Sequence, residues 1–188
     1  MNDLELWQQL KEGQKKALQQ IYEKNAPDLL RYGKKFSSDP SLVEDCIHDL
    51  FIEIWKNRQG LSETDAIKKY LFVALRRKII RQIEKGKKHL VSEEPQEYQF
   101  QAVLSIDYKL IEIEENTEKG KQLKAAMENL SDRQKEAIYL KYFAEMDYQD
   151  ISEVMGINYQ SVRNLVFNAL KALKKYMLLL FLVFLYFF

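Results

Sequence analysis

The stretch YQDISEVMGINYQSVRNLVF, residues 148–167, decides the fold of the C-terminal half of this chain. Its spacing predicts two short helices held at a fixed angle by a tight turn, the arrangement of a DNA-binding helix-turn-helix. Gly156 supplies a turn residue that tolerates positive φ, and the small Ser152 fits where the helices cross. Asn158 is a suitable N-cap for the second helix. Apolar residues occupy the five positions expected to face the shared core: Ile151, Met155, Ile157, Val162 and Leu165.

The second of these helices is expected to present an outward face with the chemistry of base recognition. Gln and Asn side chains can pair with adenine through two hydrogen bonds, and Arg can pair with guanine in the same way. Ser161 and Lys171 are better placed for phosphates, which position a protein on DNA without specifying a sequence. The residues expected to face the bases are Tyr159, Gln160, Arg163, Asn164 and Phe167. Two alternatives stay open, namely a plain helical hairpin and a packing role for Phe167.

A second cationic surface is predicted on a helix that runs from about residue 67 to 85. The segment 67–88 carries nine Lys and Arg residues against one Glu. Apolar residues that can anchor the helix are interleaved with the charges: Tyr70, Leu71, Phe72, Leu75 and Ile79. The charges fall on two adjoining stripes, Lys69, Arg76 and Arg77 on one and Lys78, Arg81, Lys85 and Lys88 on the other. Such a surface suits a nucleic-acid backbone, with aromatic rings available for unpaired bases; the alternative is a solvated basic face.

The clearest helix of the N-terminal half is predicted over residues 41–57. Asp39 is placed to cap it and Pro40 to occupy its first position. One face is apolar: Leu42, Val43, Cys46, Ile47, Leu50, Phe51, Ile54 and Trp55. An acidic strip crosses the helix: Glu44, Asp45, Asp49 and Glu53.

Residues 89–117 break the helical pattern and read as a linker with an acidic block. Between positions 91 and 117 there are seven acidic residues and one Lys. Helical periodicity resumes beyond them, and Ser131 begins a capping box. The sequence therefore predicts an all-α fold of two small helical domains, 1–88 and 118–176, joined by an acidic linker, with the helix-turn-helix in the second.

Composition excludes several classes of protein. A lone cysteine, Cys46, rules out an internal disulfide framework, and with only His48 and His89 beside it there is no clustered zinc-ligand spacing. No cofactor or metal is expected. The N-terminus lacks a basic start followed by an apolar run, so no signal peptide is expected and the cytoplasm is the default location.

Together these features resemble the extracytoplasmic-function sigma factors, the two-domain minimal members of the bacterial sigma family. The resemblance covers nearly the whole chain and rests on three segments: VEDCIHDLFIEIW (43–55), KKYLFVALRRKIIRQIEK (68–85) and LSDRQKEAIYLKYFAEMDYQDISEVMGINYQSVRNLVFNALKALKK (130–175). Four residues depart from the family's usual pattern: His48 for Gln, Arg77 for Asn, Glu84 for a basic residue and Ser131 for Pro. The departures within 68–85 prevent the promoter sequence from being carried over.

The resemblance implies a protein without catalysis of its own that binds core RNA polymerase and promoter DNA. Segment 43–55 would dock on a coiled coil of the polymerase through Asp45, Asp49, Phe51, Glu53 and Trp55. Segment 68–85 would read and open the minus-ten element, and segment 130–175 would read the minus-thirty-five element. The acidic linker would mimic a polyanion near the RNA exit path, and an anti-sigma factor is a further partner.

Two rival functions are weighed against the sigma factor. One is a stand-alone helix-turn-helix regulator, in which residues 1–90 would form a sensor domain. The other is a nuclease that holds Mg²⁺ through Asp45, Asp49 and Glu53, although no second metal-binding cluster supports it.

The chain ends in an apolar tail, MLLLFLVFLYFF, residues 177–188. As a helix the tail would span about 18 Å, short of the hydrocarbon core of about 30 Å. Lys171, Lys174 and Lys175 precede it, so shallow membrane attachment is one interpretation. The others are docking on an anti-sigma partner, packing against the protein itself and a degradation signal, and a protein contact is favoured over membrane.

Overall fold

The structure is a computed structural model that describes residues 2–87, 99–101 and 126–187, with side chains as far as residue 85 in the first range and 174 in the last. All regular secondary structure in these ranges is helical, which confirms the all-α prediction. The chain divides into two compact units, Met1–Tyr98 and Gln99–Phe188. The predicted acidic linker lies outside the described residues except for positions 99–101.

The described part of the first unit contains four α-helices, and side chains cap the starts of the first and the third. The four helices are α1 (Asp3–Lys11), α2 (Lys15–Gly33), α3 (Pro40–Asn57) and α4 (Ile67–Lys87), and a single 3-10 turn (Arg58–Gly60) follows α3. Asn2 and Glu5 form a capping box at the start of α1. The Asp39 side chain accepts hydrogen bonds from the backbone N–H groups of Ser41 and Leu42, so α3 begins as predicted.

The core of the first unit is aromatic at its centre. Tyr32 on α2 and Phe72 on α4 are both fully buried, and their rings stack with centroids 4.8 Å apart. Trp7 is also fully buried and donates a hydrogen bond of 2.9 Å from Nε1 to the Ser62 carbonyl oxygen. The predicted anchoring face of α4 is buried at Leu71, Phe72, Leu75 and Ile79, whereas Tyr70 is half-buried.

The last residue of α2, Gly33, lies where α2, α3 and α4 meet. A β-carbon at this position would lie 2.4 Å from Val43 Cγ1 and 3.2 Å from Ile79 Cδ1. Real β-carbons are not found so close to a neighbour, so only glycine allows the three helices to approach in this way.

The second unit is built on three described helices and a short helical stretch at residues 126–128. The helices are α5 (Asp132–Tyr142), α6 (Tyr148–Met155) and α7 (Tyr159–Phe187). Ser131 and Gln134 form the predicted capping box at the start of α5. Phe100, from the predicted linker, is buried in this unit, with its ring centroid 6.0 Å from that of Tyr139.

Helix α7 continues through the predicted apolar tail as far as Phe187. Within the part of the chain that the structure describes, no helix combines the length and the apolar character needed to cross a membrane.

We predict that Gly33→Ala destabilises the first unit by about 1–3 kcal/mol, because the added methyl group forces the three helices apart. Chemical denaturation of the full chain measures the change. Gly60→Ala is the matched control, since a β-carbon at Gly60 meets nothing within 4 Å. Equal stabilities of the two variants would contradict the close approach at Gly33.

Candidate nucleic-acid and protein interfaces

The helix-turn-helix of the second unit has the predicted turn. Gly156 ends α6 in the left-handed conformation, with φ of 66°, and its N–H donates to the Ser152 carbonyl oxygen. The Asn158 side chain accepts a hydrogen bond of 2.7 Å from the backbone N–H of Ser161, so Asn158 caps α7 as predicted.

The core behind this turn differs in part from the predicted set. Ile151, Met155 and Val162 are buried, whereas Ile157 and Leu165 are only half-buried. Val166 and Ala169 on α7 are buried as well and were not predicted. They follow Val162 at steps of four and three residues, so they continue its stripe along a helix that runs well past residue 167 and packs on α5.

The outward face of α7 is open to solvent. Gln160, Arg163, Asn164 and Lys171 are exposed, and Ser161 is half-buried. Tyr159 is 44% exposed, and its ring lies edge-on to that of Tyr148, with centroids 6.0 Å apart. Phe167 is 66% exposed, which decides against its role as a packing residue.

Two of the candidate base-reading side chains contact each other. Gln160 Nε2 donates a hydrogen bond of 3.2 Å to Asn164 Oδ1, one helical turn away. The bond does not use the Gln160 carbonyl oxygen or the Asn164 amide nitrogen, so acceptor and donor groups both remain for a base edge.

The cations of α4, the basic helix of the first unit, differ in their exposure to solvent. Arg77, Arg81 and Lys85 are exposed and follow one another every four residues, about 6 Å apart along the helix. Lys69 and Arg76 are half-buried. Lys78 is different, because its Nζ lies 2.7 Å from Glu53 Oε1 on α3 and its side chain is only 17% exposed.

A polar groove of about 350 Å³ runs between α3 and α4 beside this ion pair. Four of its lining side chains are basic and two are acidic. The basic ones are Arg77, Lys78, Arg81 and Lys85, and the acidic ones are Asp49 and Glu53. The groove therefore brings together residues that the sequence assigned to two different surfaces.

A charged contact that was not predicted fixes the start of α4 to α2. Lys68 Nζ lies 2.9 Å from Asp28 Oδ2, and Arg31 contacts the other oxygen of the same carboxylate. Burial opposes ionisation of Asp28, but the hydrogen bonds and charges of Lys68 and Arg31 outweigh it and hold the pKa of this carboxyl below its usual value. The contact crosses from one helix to another, so no periodicity in the sequence indicated it.

The acidic strip of α3 is exposed at Asp45, Asp49 and Glu53, while Trp55 is half-buried. Phe51 requires a correction, because it is 6% exposed and its ring packs edge-on against Tyr22 with centroids 4.9 Å apart. Its ring is part of the core, which leaves little of its surface for a partner. Ile52, one residue further on, is 37% exposed and was missed. Its position seven residues after Asp45, on the same helical line, was the available signal.

A second groove, about 540 Å³ in volume, runs along the other side of α3, where it meets α2. Its lining is mainly apolar, with one acidic side chain, and consists of Tyr22, Ala26, Pro27, Leu30, Glu44, Ile47 and His48. Tyr22 is 46% exposed at its edge. The exposed arc of α3 is thus bordered by an apolar groove on one side and a charged groove on the other.

The magnesium reading of the acidic strip finds no support in the geometry. Over residues 2–87, 99–101 and 126–187, no three His, Cys, Asp or Glu side chains are grouped to hold a metal ion. Glu53, one of the three suggested ligands, is paired with Lys78.

Comparison with known proteins matches each unit to a family. Residues 21–89 match the sigma-70 region 2 family, and residues 120–173 match the sigma-70 region 4 family. The ECF RNA polymerase sigma factor SigM of Bacillus subtilis (strain 168) is 25% identical over 158 residues, which cover 84% of this chain and 93% of that protein.

Two solved structures are similar in fold. One is the sigma factor RpoE in complex with the anti-sigma factor NepR from Bartonella quintana, with a TM-score of 0.58 and 20% identity over 85% of this chain and 95% of that chain. The other is CnrH in complex with the cytosolic domain of CnrY, with a TM-score of 0.62 and 16% identity over 93% of this chain and 96% of that chain.

Proposed function

This chain belongs to the extracytoplasmic-function group of the sigma-70 family, and we propose from that membership which of its surfaces meet the polymerase and which meet the promoter. It is an alternative sigma factor, which binds core RNA polymerase and directs the initiation of transcription at promoters. The observation that carries this function is the presence of region 2 and region 4 in one chain. A stand-alone helix-turn-helix regulator would have no need of region 2, and the match over residues 21–89 leaves little of the first unit for a sensor.

We propose that residues 1–88 bind polymerase and the minus-ten element and that residues 118–176 bind the minus-thirty-five element. The acidic linker between them would follow the RNA exit path. The protein would have no catalytic activity of its own and would act in the cytoplasm.

The proposed polymerase surface is the exposed arc of α3. Asp45, Asp49 and Ile52 share this arc, with Trp55 towards its α2 side and Glu53 towards α4. An apolar side chain surrounded by acidic ones suits a partner helix that carries basic residues around an apolar stripe. Ile52 takes the apolar role that the resemblance gave to Phe51, because Ile52 is exposed and Phe51 is not.

The proposed minus-ten surface lies on α4. Lys69, Arg76, Arg77, Lys78 and Arg81 are its cations, and the exposed line of Arg77, Arg81 and Lys85 is the part most open to phosphates. Phe72 is buried under Tyr32, so stacking on unpaired bases would have to come from another ring.

The proposed minus-thirty-five surface is the start of α7. Gln160, Arg163 and Asn164 would read base edges, and Ser161 and Lys171 would contact phosphates. Tyr159 and Phe167 extend the same exposed face with apolar surface, which can contact a thymine methyl group.

We further propose that an anti-sigma factor holds this protein inactive, since one solved structure of similar fold contains the anti-sigma factor NepR and the other also contains a bound second protein, the cytosolic domain of CnrY. The apolar tail 177–188 would serve a protein contact rather than a membrane contact.

In vitro transcription with core RNA polymerase on a genomic promoter library tests the function. We expect a defined set of start sites that appears only when the full chain is added. A reaction with core polymerase alone is the control. A library on which the chain creates no start site would contradict the function.

The polymerase surface is tested by the double substitution Asp49→Asn with Ile52→Ser. We expect affinity for core polymerase to fall at least about tenfold, because an apolar anchor and a charge are lost from the centre of the contact. Binding is measured with the full chain, and Glu12→Gln is the control, an exposed carboxylate just after α1. If the two proteins bind polymerase equally well, α3 is not the docking helix.

Arg163→Ala tests base reading by α7. In the complete holoenzyme we expect a loss of about 1–3 kcal/mol that depends on one base pair of the minus-thirty-five element. Binding to promoters with single base changes measures it. Arg133→Ala on α5, also exposed, is the matched control. A uniform loss on all sequences would instead make Arg163 a phosphate contact.

A further inference from the structure

The residue that follows α3, Arg58, is attached to Trp55 by two separate contacts. Its guanidinium carbon lies 4.5 Å from the centroid of the Trp55 ring. Its Nη1 donates a hydrogen bond of 2.8 Å to the Trp55 carbonyl oxygen. One side chain thus binds both the backbone and the ring of the same tryptophan, and the electrostatic attraction of a cation to an indole face resists rotation of the ring.

Hydrogen bonding alone does not account for the position of this guanidinium. Arg58 Nε is buried and has no hydrogen-bond partner in the described part of the chain. A buried donor without a partner destabilises a fold, so this placement of Arg58 Nε does not contribute to stability through hydrogen bonding.

The turn between α1 and α2 packs against the same group. A β-carbon at Gly13 would lie 3.3 Å from Arg58 Nε and 3.8 Å from Nη2. Contact with the Trp55 ring on the one hand and with this turn on the other leaves the guanidinium little room to move.

We propose that Arg58 is a positioning residue, which holds the Trp55 ring in the orientation in which it meets core polymerase. The proposal rests on the polymerase surface assigned above. Trp55 lies in the last turn of α3 and is half-buried, so part of its ring is exposed beside the guanidinium of Arg58. A ring that is already fixed loses less conformational entropy on binding, and this raises affinity without any contact between Arg58 and the polymerase.

Two substitutions separate the charge of Arg58 from its shape. Arg58→Met keeps a long flexible chain without charge, and Arg58→Lys keeps the charge without the planar guanidinium. We expect Arg58→Met to weaken binding of the full chain to core polymerase about three- to tenfold and Arg58→Lys to have a smaller effect. Unchanged affinity in Arg58→Met would overturn the proposal.

A double-mutant cycle shows whether Arg58 acts through the ring. In a Trp55→Ala background, Arg58→Met should have no further effect on polymerase affinity. An equal loss in both backgrounds would overturn the positioning role. If Trp55→Ala by itself leaves the affinity unchanged, it is the assignment of Trp55 to the polymerase surface that fails, which is a different result.

Tryptophan fluorescence of the free chain gives a readout that does not depend on polymerase. The chain has two tryptophans, and Trp7 is fully buried, so quenching by acrylamide reports mainly on Trp55. We expect Arg58→Met to increase quenching and to lower the anisotropy of the emission while the helical content stays unchanged. Identical quenching and anisotropy in the folded variant and the parent would show that Arg58 does not fix the ring.

Discussion

The packing of α3 between α2 and α4 is the constraint on which the first unit depends. Six side chains of α3 are buried in this packing, and the missing side chain of Gly33 lets the three helices approach closely. Only a narrow arc of α3 is left exposed, bordered by an apolar groove against α2 and a charged groove against α4. The proposed polymerase surface on α3 and the proposed minus-ten surface on α4 are therefore neighbours, because these two helices pack against each other, and a shift of α3 would change the position of one surface relative to the other.

The arrangement of helices in the second unit depends mostly on interactions between residues that are close in sequence. Asp147 caps α6, Gly156 ends it, and Asn158 caps α7, so three consecutive backbone signals set the angle between two helices. The buried stripe of α7 then packs on α5, and the polar side chains at the start of α7 lie on the exposed face away from that contact. The outward face can change its side chains without any change in the support beneath it.

The sequence predicted correctly those features that depend on residues adjacent in the chain. The caps at Asp39 and Ser131 and the turn at Gly156 depend on residues that are adjacent in the chain, and all three were predicted correctly. Local signals did not predict that Ile52 is exposed on α3 and that Phe51 is buried. A helical stripe gives the direction of a side chain only to within a fraction of a turn, and the side chain of Tyr22 on another helix decides that Phe51 is covered. The contacts of Lys78 with Glu53 and of Lys68 with Asp28 likewise join residues far apart in sequence.

These two ion pairs change how the charge of α4 should be counted. Between residues 67 and 88 the chain carries nine cations, but the ammonium groups of Lys68 and Lys78 already face carboxylates of the same unit. Binding to DNA is favoured by the entropy of the counterions that protein cations displace from the phosphates. A cation that is already paired with a carboxylate of the protein contributes less to this release. The electrostatic attraction that the proposed minus-ten surface on α4 can exert on a promoter is thus weaker, and less dependent on ionic strength, than the composition of the helix implies.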